Sequence, residues 1–105
     1  MMGVGLSLPE GPMMLTAIVM IDVVPELIPE VGQADADVPG VSEVYSVTGD
    51  ADLIAIVRVQ QTDDLAVVIA DRIAKVGGVT RTRTFIAFRT YSSKDMEAAF
   101  SIGLE

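Results

Sequence analysis

Residues 40–59 read GVSEVYSVTGDADLIAIVRV, and this stretch decides how the rest of the chain folds. Val44, Tyr45 and Val47 stand among small polar residues, and Leu53 to Val59 is apolar or β-branched except at Arg58. Two runs of this kind flanking a Gly/Asp cluster predict two strands joined by a tight acidic loop, Gly49-Asp50-Ala51-Asp52. Gly49 frees the local backbone from ordinary steric limits, so the loop N–H groups can hold a carboxylate while Asp50 or Asp52 holds an ammonium. A free amino acid carries both groups. The same residues also suffice simply to reverse the chain.

Around this hairpin the chain supplies one domain. It has 105 residues, half of them apolar, with five aromatics and a mean hydropathy of +0.50. That is enough for a single core, and the surplus of aliphatic residues predicts a surface partly covered by another subunit. No apolar run reaches the roughly eighteen residues that would span a bilayer. The chain has no cysteine and no histidine, which removes serine-histidine and cysteine-histidine catalysis, disulfides and the common zinc sites; no cofactor is expected. A net charge of −8 opposes wrapping of nucleic acid. All seven cations lie at or beyond Arg58, so the first half of the chain is purely acidic.

Residues 1–14 carry Gly and Pro, no periodicity and no basic n-region, and read as a loose tail rather than a signal peptide. Leu15 to Val23 is the first strand, with Leu15, Ala17, Val19, Ile21 and Val23 on one face and Ile18 and Met20 on the other. Pro25 to Asp37 predicts a helix, stopped by Pro39-Gly40, with Leu27, Ile28, Val31 and Ala34 on its buried side. After the hairpin, Thr62-Asp63-Asp64 offers helix caps, and Leu65, Val68, Ile69, Ile73 and Val76 recur at helical spacing up to Gly77-Gly78. Val79 to Tyr91 alternates as a fourth strand: Thr80, Thr82, Thr84, Ile86 and Phe88 share one face, and Arg81, Arg83, Phe85, Ala87, Arg89 and Tyr91 the other. Ser92-Ser93 then starts a short helix striped by Met96, Ala99, Phe100 and Leu104.

The two halves repeat: IVMIDV at 18–23 answers IAIVRV at 54–59, and each precedes a helix, a glycine-valine step and another strand. Such a duplication predicts an α+β, ferredoxin-like βαββαβ sandwich across 15–105, an antiparallel sheet with both helices on one face and a C-terminal helix. The other sheet face, left bare, predicts an isologous homodimer.

These residues resemble the ligand-binding (RAM) domain of the Lrp/AsnC regulators over about 15–91. The resemblance rests on Gly40-Val41, the valine-rich strand ending Val47-Thr48-Gly49, Asp52 three residues later, and Gly78-Val79 leading into Thr80, Thr82 and Thr84. Full-length members carry a helix-turn-helix ahead of this domain. Only residues 1–14 precede it here, so the chain resembles the stand-alone type.

The resemblance implies a cytoplasmic, non-enzymatic regulator whose dimers assemble into rings, commonly of four, with an amino-acid effector bound between dimers. It further implies association with a full-length relative, and no direct contact with nucleic acid or membrane. The effector contacts it implies are Gly49, Asp50, Ala51, Asp52 and Leu53 after the second strand and Thr80, Arg81 and Thr82 on the fourth. Position 51, often aromatic in the family, is alanine here.

Two other functions fit the same fold. One is a dimeric α+β barrel enzyme, an isomerase or cofactor-independent oxygenase, using Asp22, Glu43, Tyr45 or Tyr91 as acid or base. The other is an oligomerisation module that binds nothing small. Arg81, Arg83 and Arg89 share a face and can each grip a carboxylate, or be solvated, or pair with acids across an interface.

Overall fold

The computed structural model of the chain describes residues 14–93. The expected tail up to residue 13 and the expected terminal helix with Met96, Ala99, Phe100 and Leu104 lie outside the described residues.

Four strands form the frame: β1 (Leu15–Val23), β2 (Val41–Ser46), β3 (Leu53–Val59) and β4 (Val79–Ala87). They make one antiparallel sheet in the order β2-β3-β1-β4. Between β1 and β2 the chain turns through a 3-10 segment (Pro25–Leu27) into α1 (Ile28–Ala36). Between β3 and β4 it enters α2 (Thr62–Ala66), which continues as a π-type helix (Val67–Arg72) and a 3-10 turn (Ile73–Lys75). The duplicated β-α-β pattern is thus realised as the ferredoxin-like sandwich its repetition predicts.

Alternation along the strands decides which face is covered. Ala17, Val19, Ile21 and Val23 of β1 and Leu53, Ala55, Val57 and Val59 of β3 are buried, together with Val31, Leu65, Val68 and Ile73 from the helices. They form one apolar cluster, so both helices lie on the same side of the sheet. Intervening residues point to the opposite side, where Phe85, Ile18 and Ile56 stand in register across β4, β1 and β3, as do Arg83, Met20 and Ile54. Phe85 remains 55% exposed, Tyr45 49% and Ile18 36%. As expected from both helices packing on one side, the other face of this sheet is open in a single chain.

Several local expectations are corrected. β4 ends at Ala87 rather than Tyr91, because its partner β1 begins at Leu15 and pairing stops at Thr16–Ala87. The buried side of α1 is Val31 and Asp35, while Leu27 is exposed and Ala34 half-buried. No side chain caps the second helix: Gln61 occupies the N-cap, and Asp63 and Asp64 sit in the first turn, where the helix dipole favours negative charge. Helical periodicity located the second helix but not its change of winding.

Candidate functional site

The candidate residues gather around the carboxyl end of β1. On the β3 side, the Asp52 N–H donates to the Ile21 carbonyl at 3.1 Å, and Asp52 Oδ2 accepts from the Val23 N–H at 2.9 Å. The Val47 N–H donates to the Asp52 carbonyl at 3.1 Å and closes the base of the loop. Asp52 therefore pins the returning half of the loop to β1. One oxygen of the carboxylate expected to hold an ammonium is already committed inside the fold. Ala51 and Leu53 are buried beside it.

Gly49 and Asp50 are different. Both are exposed, Gly49 lies at φ +116°, and a Cβ added there would touch nothing within 4 Å. Among the described residues no hydrogen bond engages their N–H groups or the Asp50 carboxylate. They present the donors and the acid that a zwitterion needs.

On the other flank, β4 brings Thr80, Arg81 and Thr82 alongside the same end of β1: Thr82 pairs with Ile21 and Arg81 with Asp22. Thr80 Oγ1 donates to the Asp22 carbonyl at 3.2 Å. Arg81 is exposed, and its guanidinium makes no ion pair among the described residues. The loop and the start of β4 lie on opposite sides of β1, roughly two strand spacings or 10 Å apart.

Arg83 bridges that gap. Its Nη2 donates to Asp22 Oδ1 at 2.9 Å and to the Asp50 carbonyl at 3.0 Å, so one side chain from β4 crosses β1 and reaches the loop. The sequence offered Arg83 only as one of three arginines on a face. Its ion pair forms within the chain. The legible signal was the diagonal: Asp22 faces Arg81 in register, and Arg83 is the next same-face residue along β4.

The groups named for the enzymatic alternative are paired or exposed. Asp22 is paired with Arg83. Glu43 accepts from the Tyr45 hydroxyl, which raises the Tyr45 pKa, and lies 3.5 Å from Arg58, all on exposed ground. Tyr91 is exposed.

Three open concavities lie elsewhere. One of about 440 Å³ adjoins the second helix (Gly40, Val59, Val68, Arg72), one of about 250 Å³ lies between α1 and β2 and reaches Leu53, and one of about 420 Å³ lies between the second helix and β4 (Leu65, Ile69, Thr84, Ile86). None of the three is lined by residues 49–52 or 80–82. Within one subunit Gly49, Asp50, Thr80 and Arg81 lie on exposed surface.

Among the described residues, no helix is long and apolar enough to cross a membrane, and no group of three or more acidic side chains is placed to hold a metal.

Comparison with known proteins agrees with this fold. The chain is 37% identical over 78 residues to the HTH-type transcriptional regulator LysM of Saccharolobus solfataricus, covering 73% of this chain and 54% of that regulator. It therefore spans about half the length of that relative. TTHA0845 of Thermus thermophilus superimposes with a TM-score of 0.72 at 42% identity, over 75% of this chain and 99% of that one. The feast or famine regulatory protein Rv3291c of M. tuberculosis, solved with L-methionine, superimposes with a TM-score of 0.63 at 28% identity, over 76% of this chain and 54% of that one. The family model of the Lrp/AsnC ligand binding domain matches residues 16–96. With the four-stranded sandwich and the glycine-to-aspartate loop in place, this chain belongs to the Lrp/AsnC ligand-binding domain family.

Proposed function

We propose that this chain is an amino-acid-sensing regulatory module that carries out no catalysis and acts through assembly. Two copies bury their open sheet faces against each other, and neighbouring dimers then enclose the rims formed by residues 49–53 and 80–82. The Asp50 carboxylate takes the ligand ammonium, the Gly49 and Asp50 N–H groups take its carboxylate, and Thr80, Arg81 and Thr82 close the site from the far side of β1. Ala51, Asp52 and Leu53 hold the loop in shape from beneath.

One observation carries this reading: an exposed loop keeps two N–H groups and an acid free of hydrogen bonds among the described residues, while its base is pinned to β1 through Asp52. Support also comes from Rv3291c, whose related fold was solved with L-methionine. Association with a full-length relative of LysM type would carry the signal to transcription, since regulation needs a change in assembly that a partner can read.

Isothermal titration with each of the twenty amino acids, on wild type and Asp50→Asn, tests the reading. Saturable heat with at least one amino acid, weakened at least about tenfold in Asp50→Asn, a loss of about 1.4 kcal/mol, is expected. No heat with any of them overturns it.

A further inference from the structure

The returning half of the loop is secured by Asp52, but the outgoing half is not. For residues 48–50, the bond from Arg83 Nη2 to the Asp50 carbonyl, 3.0 Å, is the hydrogen bond that ties this segment to the rest of the described fold. The same Nη2 is held at 2.9 Å by Asp22 Oδ1, so the guanidinium is positioned from β1 before it reaches the loop. Arg83 Nε is buried without a partner among the described residues, which costs free energy. A cost of that kind persists where the rest of the side chain's contacts offset it.

We propose that Arg83 is a positioning residue: anchored by Asp22, it fixes the conformation of Thr48-Gly49-Asp50 and thereby sets the affinity of the ligand site. The inference rests on the amino-acid reading above for its ligand, but not for the clamp itself. Lysine in its place keeps the charge but is shorter and lacks the rigid guanidinium that sets where the donor lies, so it retains only part of the effect.

Arg83 also lies on the open sheet face, in register with Met20 and Ile54. Covering that face with a second copy removes water from around the Arg83–Asp22–Asp50 contacts and strengthens them. Ligand affinity and dimerisation are then linked, and by reciprocity ligand binding tightens the dimer.

The test is backbone NMR order parameters of residues 48–51 in ligand-free wild type, Arg83→Gln, Arg83→Lys and Asp22→Ala, followed by titration of the same proteins with amino acids. Order parameters at 48–50 falling from about 0.85 to below about 0.6 in Arg83→Gln, less in Arg83→Lys, with β1 and β3 unchanged, are expected. Ligand affinity should fall in the same order. Asp22→Ala should lower the same order parameters as Arg83→Gln, because it removes the carboxylate that anchors the guanidinium. Unchanged order parameters at 48–50 in Arg83→Gln overturn the clamp, and lowered ones with unchanged affinity overturn its role in binding. Lowered order parameters in Arg83→Gln while wild type binds none of the twenty amino acids leave the clamp standing and remove the amino-acid reading instead.

Discussion

The Asp52 carboxylate and the Val23 N–H meet at 2.9 Å, joining the acidic loop to the end of β1 across twenty-nine residues of sequence. One oxygen of Asp52 thus serves as a strut for the loop of the candidate site. Asp50, earlier in the same loop, has a carboxylate without a hydrogen bond among the described residues.

Removal of this strut is predicted to loosen the domain. A hydrogen bond to a charged acceptor contributes about 1.5–3 kcal/mol. Asp52→Ala should lower stability by about that amount, or roughly 4–8 °C in Tm per kcal/mol for a domain of this size. Asp52→Asn keeps an acceptor and should lose less. Equal losses for the two substitutions in thermal unfolding would mean that the bond to Val23 is not what Asp52 supplies.

Asp35 predicts an unusual dependence of stability on pH. It is fully buried in α1, neither oxygen has a hydrogen-bond partner among the described residues, and burial pushes its pKa up from 3.8 to about 6. The folded protein therefore holds this proton up to about pH 6, while the unfolded chain releases it near 3.8. The contribution is fully present below pH 3.8 and is lost as pH rises towards 6, a total of about 3 kcal/mol at 1.36 kcal/mol per unit. Urea unfolding of Asp35→Asn and wild type should converge near pH 4 and separate by pH 7, with the variant the more stable. A constant difference across that range would show that ionisation of Asp35 is not the cause.

Gly40 and Gly49 separate strain from crowding. Both have positive φ, +99° and +116°. A Cβ on Gly40 would meet Val68 Cγ2 at 2.8 Å and Val59 Cγ1 at 3.2 Å, whereas one on Gly49 meets nothing. Gly49→Ala should cost only the left-handed conformation, about 1–2 kcal/mol, and Gly40→Ala clearly more, because two core valines must also shift. Chemical denaturation of the two variants gives the order directly.

The open face predicts the oligomer. Ile18 and Phe85 face each other across β1 and β4 on that side, 36% and 55% exposed. Replacing either by Glu places a charge in the dimer interface while leaving the helix-covered core untouched. Light scattering should show wild type as a dimer or a larger assembly at micromolar concentration, and Ile18→Glu and Phe85→Glu as folded monomers. A monomeric wild type would remove the enclosed site.

The frame was legible because strands declare themselves by alternation: the bounds of β1 and the buried set Ala17, Val19, Ile21, Val23 follow from the sequence alone. Duplication of the β-α-β unit supplied the topology. What escaped were features set by contacts between distant residues. Asp35 continues the apolar stripe of α1 by position while breaking it by chemistry, and no local pattern marks a buried acid. The second helix keeps its apolar spacing, so its π-type winding at Val67–Arg72 left no trace. Arg83 became a bridge only once β4 was laid beside β1 and the loop folded over Asp22. Asp52 was legible as important and not as structural, because its partner is a backbone N–H, which every sequence carries.

Neighbouring subunits are proposed to enclose an amino acid against the acidic loop and the first residues of β4 on one rim. A crystal structure grown with the amino acid that titrates most tightly tests this proposal most directly. Density contacting Gly49 and Asp50 together with Thr80, Arg81 or Thr82 at a subunit boundary is the predicted result. Density confined to the concavity beside Val68 and Arg72, or bare loops at saturating ligand, would contradict it.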